Sequence, residues 1–310
     1  MSSTPEVSIV IVNYNTAFYT SQCLDSLDQH PPQVTYEMIV VDNASKDDSA
    51  RVLEEKYPAI KLIRSPKNGG IAGGNNLGIH ASTGRYVLLL NNDTIVLPGT
   101  IDAVYNFLKT HPEAAGVGGN LLNPDGSFQS GACAFSTLIE EFLNLTKLGG
   151  IIRPSYPSFQ PFKDPRTVDW MSTAFMLFRL DALKQVGLVD EEYFIYSDEP
   201  DLEYRLWKAG WKIYYLPEIN TIHFGGKSLE PWRSRKLKYR GRLLFFRKHR
   251  SPIEELLVRG MYAIASILKM IFWICLFLIP GKRKRAKLEL SSQMDILHMS
   301  LSPSIPPASV

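Results

Sequence analysis

With 310 residues, 45% of them hydrophobic and 21% charged, the chain has material for one main core plus an appendage, and only its last ~20 residues read as flexible. Cys23, Cys133 and Cys275 stand far apart with no ligand or disulfide spacing, which fits a reducing compartment and assigns them no chemistry. The net charge of +3 conceals an asymmetry: residues 1–229 hold 18 Lys and Arg against 26 Asp and Glu, whereas residues 230–289 hold 16 against 4. Met1 to Glu6 has no basic leader and runs directly into an apolar stretch, so the expectation is a cytoplasmic chain.

Val7 to Val12 (VSIVIV) is a continuous apolar run, as expected of a strand buried on both faces, and it ends in Asn13, Tyr14, Asn15 and Thr16. Thr16 suits the N-cap of an amphipathic helix carrying Leu24 and Leu27. Met38 to Val41 ends in Asp42 and Asn43, and Ser45 to Asp48 lead into a helix reaching about Tyr57. A third run, Ile60 to Ile63, exits into Asn68-Gly69-Gly70-Ile71-Ala72-Gly73-Gly74-Asn75-Asn76, which opens a short helix. This loop is not the G-x-G-x-x-G fingerprint of dinucleotide-binding folds, and it follows the third strand rather than the first. Its glycines either bring backbone N–H groups to a ribose or phosphate or serve a tight turn with close helix packing.

The next strand, Val87 to Leu90, delivers Asn91, Asn92 and Asp93 to its end. An acid at the carboxyl edge of an open α/β sheet is placed to hold a divalent cation through oxygen ligands; the alternative is a turn residue ahead of the helix at 98–110. Strands alternating with helices argue for an α/β fold with a mainly parallel sheet, and polar strand ends argue for one shared site.

From Gly119 to Pro165 the periodicity weakens and prolines punctuate it, as in a long loop or lid. Trp170 to Phe178 is strand-like, Asp181 begins a short helix, and Asp198, Glu199, Asp201 and Glu203 then crowd four carboxylates into six residues. Pro200 suits the first turn of a helix, which puts Asp198 and Glu199 at its N-terminus, either as chemistry or as capping. Lys212 to Leu216 and Thr221 to Phe224 are the last strand-like pieces, and the latter carries His223, structural or ligating according to what lies near it. Met261 to Ile279 is a 19-residue run whose only charge is Lys269, long enough to be a membrane candidate, within a strongly basic region. No recognisable nucleic-acid motif organises those basic residues, so they point to an anionic membrane surface rather than nucleic acid.

The segments VSIVIVNYN, VDNASKDDS, NGGIAGGNNLGI, LLLNNDT, FIYSDEPDLEYRLWKAGWKIYYLPE and IHFGGKS occur in that order over roughly residues 6–250. Together they resemble the family 2 inverting glycosyltransferases with a GT-A fold, and within them the rhamnosyltransferase and cell-wall or O-antigen branch. The resemblance implies that Tyr14 stacks on a nucleotide base, that Asp42 hydrogen-bonds it, and that Asn68 with Gly69 and Gly70 follows the ribose and diphosphate. Asn13, Asn43, Asn75 and Asn92 join this nucleotide-binding set. Asp93 matches the last acid of the D-x-D metal motif, with Asn91 in place of the first, and His223 matches a position reaching the metal or diphosphate. Glu199 matches the catalytic base, with Asp198 before it in inverted order relative to the usual pair. Trp170, Thr173 and Asp201 fall in the acceptor region, where Thr173 replaces a usual glycine.

The expectation is thus a catalytic domain at 1–228, with nucleotide and acceptor halves dividing near 118, a helical membrane-associating region at 229–290 and a flexible tail at 291–310. It would transfer a sugar, with dTDP-rhamnose as leading donor, to a lipid-linked acceptor at the cytoplasmic face of the cell membrane, using Mg2+ or Mn2+. A UDP-hexose or UDP-N-acetylhexosamine donor is the alternative within this fold; a non-catalytic nucleotide-sugar-binding scaffold is the alternative outside enzymes. Because basic segments flank Met261 to Ile279 on both sides, a helix in the interface or one that enters and returns fits better than a single span.

Overall fold

The computed structural model describes residues 4–148, 162–225 and 231–308. β1 (Val7–Asn13) pairs in parallel with β2 (Tyr36–Asp42) and with β4 (Tyr86–Asn91), and β2 pairs in parallel with β3 (Lys61–Arg64). β1 is buried along its whole length, because α1 (Ala17–Gln29), α2 (Ser49–Lys56) and α3 (Gly70–Ala81) return the chain across the faces of the sheet between these strands. The strands share a direction, so their ends Asn13, Asp42 and Asn91 gather at one edge; Asn13 sits opposite Asp42 in the register.

After the short β5 (Thr94–Val96) and α4 (Thr100–Thr110), the sheet continues through β6 (Ala114–Leu122), β11 (Phe175–Arg179) and β12 (Lys212–His223). The strand order is β3-β2-β1-β4-β11-β6-β12-β5, with β11 antiparallel to both β4 and β6. β7 (Phe128–Ser130) pairs with β6, β9 (Arg166–Val168) pairs with β12, and β8 (Ala132–Cys133) forms a separate two-stranded sheet with β10 (Trp170–Met171). α5 (Leu138–Thr146), α6 (Leu180–Val186) and α7 (Asp198–Lys208) follow in chain order among these strands.

Several expectations are corrected. The described part of 119–165 is not one long loop, since β6 to β8 and α5 occupy it; Pro154, Pro157 and Pro161 lie outside the described residues. Trp170 to Phe178 is two strands interrupted at Ser172–Ala174, and the two pieces expected at 212–224 are one strand with a bulge between Tyr215 and Asn220. Pro217 falls within that bulge, where no ladder N–H is required of it, and its carbonyl accepts from Asn120 Nδ2 at 2.8 Å.

Among the described residues, the chain divides into two compact units: one takes 4–135, 162–194 and 198–225, the other 136–148, 195–197 and 231–308. The second contains α5 and three long helices, α8 (Pro231–His249), α9 (Pro252–Phe277) and α10 (Arg283–Leu301). The tail expected from 291 onward is helical as far as Leu301, because Ile296 and Met299 on α10 are buried. α9 begins with a capping box, in which Ser251 and Glu254 satisfy each other's backbone N–H groups, and with Pro252 in its first turn.

Candidate active site

The polar residues at the ends of β1, β2 and β4 form a continuous hydrogen-bond chain. Asn92 Nδ2 donates to Thr16 Oγ1 at 2.6 Å and Thr20 Oγ1 at 3.0 Å; both hydroxyls donate to Asn13 Oδ1. Asn13 Nδ2 then donates to Asp42 Oδ1 at 3.0 Å and to Ser45 Oγ at 3.1 Å. Thr16 stands at the N-cap position of α1, but its hydroxyl serves this network and makes no cap bond. Asp42 keeps acceptor capacity: Oδ1 takes Asn13 and Oδ2 takes the Ser45 N–H at 3.2 Å, leaving a second lone pair on each oxygen. Tyr14, half-buried, follows directly after β1 at the same edge.

The glycine loop is closed by asparagines. Asn43 Nδ2 donates to Asn68 Oδ1 and Gly70 O, and Asn43 Oδ1 accepts from Gly69 N at 3.0 Å. Asn68 Oδ1 accepts from Gly70 N at 2.9 Å, and Phe194 O from Ala72 N at 3.3 Å. Gly70 has φ +71°, and a Cβ there would lie 2.1 Å from Phe194 O; Cβ atoms at Gly74 and Gly78 would meet Val12 and Val10 at 2.6 and 2.2 Å. The glycines therefore serve the tight turn and the seating of α3 on β1. The Gly69 and Gly70 N–H groups, which the alternative reading brings to a ribose or phosphate, donate within the loop to Asn43 Oδ1 and Asn68 Oδ1.

Asn13, Asn43 and Asn92, each expected to contact nucleotide, also fasten the strand ends and the glycine loop to one another. Asn75 is buried on α3, and Asn76 beside it latches onto the 189–191 segment through Val189 O at 2.8 Å.

Asp93 and His223 are brought together by the pairing of β5 with β12, in which His223 faces Thr94 and Phe224 N donates to Asp93 O at 2.9 Å. Asp93 Oδ1 lies 3.2 Å from His223 Nε2, and Asn91 Nδ2 lies 3.3 Å from the same nitrogen. Gln129 orients the ring. Its Nε2 donates to Asn123 Oδ1 and His223 O, so its Oε1, at 2.6 Å, accepts the His223 Nδ1–H. In the neutral ring this leaves the lone pair on Nε2, directed toward Asp93. Adjacent ligands of a small octahedral cation stand about 3 Å apart, so this carboxylate and imidazole fit Mg2+ or Mn2+ as two neighbouring ligands. Among the described residues no group of three His, Cys, Asp or Glu forms a metal cluster, so the remaining ligands of such an ion would come from the diphosphate and water. Gly226, Lys227 and Ser228, in the same sequence motif as His223, lie outside the described residues.

Next to this edge stands the carboxylate pair of α7. Asn91 N donates to Ala174 O at 3.0 Å, which places the break between β10 and β11 beside the end of β4. That break holds Glu199, whose carboxyl accepts from the Thr173 N–H and the Ser172 hydroxyl. Burial pushes the Glu199 carboxyl above its ordinary range, against these donors, its own N–H and the nearby His223, which all favour the ionised form. Backbone with positive φ at Phe194, Tyr196 and Ser197 turns the chain into α7, an unusual sequence of left-handed non-glycine residues immediately ahead of Glu199.

The other acids of α7 are internal. Asp201, expected near the acceptor, is buried and paired with Arg205 at 2.8 Å, one turn on; Arg205 also ties down Val186 O and Leu188 O. Asp198 is buried at the first position of α7, leaving Glu199 as the half-buried acid. Trp170 donates Nε1–H to Ala134 O at 2.8 Å, and Thr173 contributes its backbone N–H to Glu199. Gln129, which orients His223, and Ser172, which donates to Glu199, are neighbours of the site that sequence reasoning did not single out.

A sheet edge with a cation-compatible Asp–His pair beside a recessed carboxylate defines, on this fold, a glycosyltransferase. The chain belongs to glycosyl transferase family 2, whose family model matches residues 8–187. It is similar to the N-acetylglucosaminyl-diphospho-decaprenol L-rhamnosyltransferase of Mycobacterium tuberculosis (strain CDC 1551 / Oshkosh), 29% identical over 241 residues covering 71% of this chain and 76% of the relative. It is also similar to Rhamnosyltransferase WbbL of Escherichia coli (strain K12), 25% identical over 232 residues covering 70% of this chain and 83% of that one. Among solved structures, Mannosyltransferase PcManGT from Pyrobaculum calidifontis in complex with GDP-Man and Mn2+ aligns with a TM-score of 0.57 at 15% identity, over 97% of this chain and 88% of that one. That likeness shows the fold, which is the GT-A architecture expected from the sequence.

Proposed function

We propose that the protein is an inverting glycosyltransferase that moves a sugar, with dTDP-rhamnose as the leading donor, onto a lipid-linked precursor of a surface glycan at the cytoplasmic face of the cell membrane. The observation that carries the reading is Glu199, recessed and held by Thr173 N–H and Ser172 beside the strand edge that bears Asp93 and His223. The choice of rhamnose and of a lipid-diphosphate acceptor rests on the relatives, whose names specify rhamnosyl transfer and, in one, an N-acetylglucosaminyl-diphospho-decaprenol.

In this reading Tyr14, Asp42 and Asn68 receive the nucleoside. Asp93 and His223, with diphosphate oxygens, would hold Mg2+ or Mn2+, which neutralises the charge that gathers on the departing diphosphate. Glu199 accepts the proton of the acceptor hydroxyl while the acceptor oxygen bonds to the anomeric carbon. The bond from that carbon to the diphosphate oxygen breaks with its electron pair on the leaving group, and attack from the opposite face inverts the centre. The residues of 230–289 meet an anionic membrane surface, where a lipid-linked acceptor resides.

A screen of nucleotide sugars, each with a polyprenyl-diphosphate-linked N-acetylglucosamine and with or without a divalent cation, tests the reading. Transfer from dTDP-rhamnose in the presence of cation is expected. Transfer solely from a UDP-sugar would overturn the donor assignment, and neither transfer nor donor hydrolysis with any nucleotide sugar would overturn catalysis itself.

A further inference from the structure

Exposed apolar side chains are concentrated in one unit of this chain. Of the 22 large hydrophobic side chains exposed among the described residues, three (Phe18, Leu77 and Trp207) belong to the unit that holds the candidate site, and ten lie on α9 alone. α9 buries one stripe at helical spacing, Val258, Arg259, Tyr262, Ala263 and Ser266, and turns Ile264, Leu268 and Ile271 outward at 62%, 62% and 55% exposure. α5 packs against α9 and adds the exposed Ile139 and Phe142. An apolar face of this extent marks an interaction surface.

Length alone would let α9 cross a bilayer, since 26 residues rise about 39 Å. Its connections oppose that. A short link containing Gly281, at φ +84°, reverses the chain into α10. Near the start of α9, Arg259 Nη1 donates to the carbonyls of Met299, Ser300 and Ser302 at 3.1, 3.2 and 2.7 Å, capping the far end of α10. The helices are therefore antiparallel. Beyond them Pro303 O accepts from Arg247 and Pro306 O from Arg240, both on α8, so the end of the described chain returns to the helix that precedes the hairpin.

α10 cannot follow α9 into hydrocarbon. In a hairpin that crossed, Glu289 and Asp295 in the body of α10 would lie in hydrocarbon, and in one that entered and returned, Arg283, Lys284, Arg285 and Lys287 at its turn would; each such charge at mid-bilayer costs about 3 kcal/mol on insertion scales. Held at the level of the headgroups, the basic charges are favourable, and Arg285 stacks over the Trp273 ring of α9 at 5.6 Å, pairing a cation with an interfacial aromatic. Lys269, the lone charge in the apolar run, lies with Nζ 3.5 Å from Tyr239 OH on α8 and needs no path through lipid.

We infer that α9 and α10 form a hairpin lying in the plane of an anionic phospholipid bilayer, the outward face of α9 seated at the boundary of headgroups and acyl chains and the basic start of α10 on the headgroups. This rests on the membrane-surface reading above and adds its geometry. No part of α9 crosses, and Ala308 stays on the same side of the membrane as α8.

The full chain is tested with vesicles of phosphatidylcholine with and without phosphatidylglycerol. Binding to the anionic vesicles is expected, and Leu268→Lys with Ile271→Lys is expected to weaken it at least tenfold while leaving donor hydrolysis in solution unchanged. In a Cys133→Ser and Cys275→Ser background, used for all thiol labelling here, fluorophores on Ile264→Cys and Leu278→Cys, quenched by brominated lipids, are expected to report one common depth of roughly 5–10 Å below the headgroups. Ala308→Cys should react with an impermeant thiol reagent in inverted membrane vesicles and not in intact cells. Absence of binding to any vesicle overturns the membrane-surface reading. Binding with unequal depths, or labelling of Ala308→Cys in intact cells, retains that surface but overturns the in-plane hairpin.

Discussion

Glu203 follows Glu199 by one turn of α7, and the two carboxyls clasp one extended segment: Glu203 Oε2 accepts Met171 N–H at 2.9 Å, and Glu199 accepts Thr173 N–H. Ser172, between those two residues, gives its hydroxyl to Glu199. The break between β10 and β11 is thus held by two acids of one helix face, one half-buried and one wholly enclosed.

The first prediction concerns Glu199. As a base it must be ionised, and burial raises its carboxyl above the usual range, so the acid limb of kcat should fall at a higher pH than an ordinary glutamate would give. Glu199→Gln should cut kcat by about a hundredfold or more with nucleotide affinity nearly intact, measured by turnover and by titration calorimetry. Near wild-type turnover would remove Glu199 from the chemistry.

Glu203 gives a prediction about stability. Its Oε1 is buried with no hydrogen-bond partner, and burial, then the nearby Glu199 charge, pushes this carboxyl well above the ordinary value of 4.5. An acid with a raised folded pKa binds its proton more tightly when folded; its contribution is complete below the ordinary range and is lost as pH rises through the raised value. Glu203→Gln should therefore flatten the rise-and-loss, so that urea denaturation shows a weaker fall of stability above about pH 4.5 than in wild type. Glu203→Ala, which strands the Met171 N–H, should lose about 1–3 kcal/mol and also lower kcat by loosening the segment that holds Glu199. Equal pH profiles for wild type and Glu203→Gln would show that Glu203 does not titrate in this range.

Much of this was legible in the sequence because a parallel strand buried on both faces is a bare apolar run, and its first polar residue marks the functional edge. Asn13, Asp42, Asn91 and Asp93 were located in that way. What a polar residue at that edge does was not legible: Asn13 and Asn43 have the residue type of ligand contacts, and their amides also tie the strand ends and the glycine loop together. β6 escaped detection because AAGVGGNLL has too few side chains to read as an apolar run. Its glycines are required by packing, since Cβ atoms at Gly116 and Gly119 would meet Met176 and Ile219 O at 2.8 and 2.3 Å. Gln129 depends on a pairing 94 residues away in the chain, which no local pattern encodes. The helical tail was missed because α10 is stabilised by packing on α9 and capped by Arg259.

Gly70 and Gly99 separate two costs. Their φ angles are +71° and +73°, but a Cβ on Gly99 meets nothing within 4 Å, whereas one on Gly70 lies 2.1 Å from Phe194 O. Gly99→Ala should lose about 1 kcal/mol from left-handed backbone strain alone. Gly70→Ala should lose more than that in the same denaturation assay, and because Phe194 leads into α7, it should also reduce kcat. Equal losses in the two variants would show that the 69–74 turn relaxes away from Phe194 at no cost.

The last prediction separates the cation from the ring that helps hold it. Asp93 supplies a carboxylate where the sequence has Asn91 in place of a second acid, so Asp93→Ala should abolish turnover at any Mg2+ or Mn2+ concentration, and excess chelator should do the same to wild type. Gln129 touches neither donor nor acceptor in the proposed chemistry; it accepts the Nδ1–H of His223 at 2.6 Å and so keeps the Nε2 lone pair facing Asp93. Releasing that ring should weaken the cation without removing a ligand. Gln129→Ala is therefore expected to raise the Mn2+ concentration for half-maximal activity by about 10–100-fold, with kcat at saturating Mn2+ largely recovered. Gln129→Glu, which keeps the acceptor at Nδ1, should recover much of the lost affinity. A Gln129→Ala enzyme that loses kcat but keeps its Mn2+ dependence would mean that His223 acts on the diphosphate or on Glu199 rather than on a metal ion.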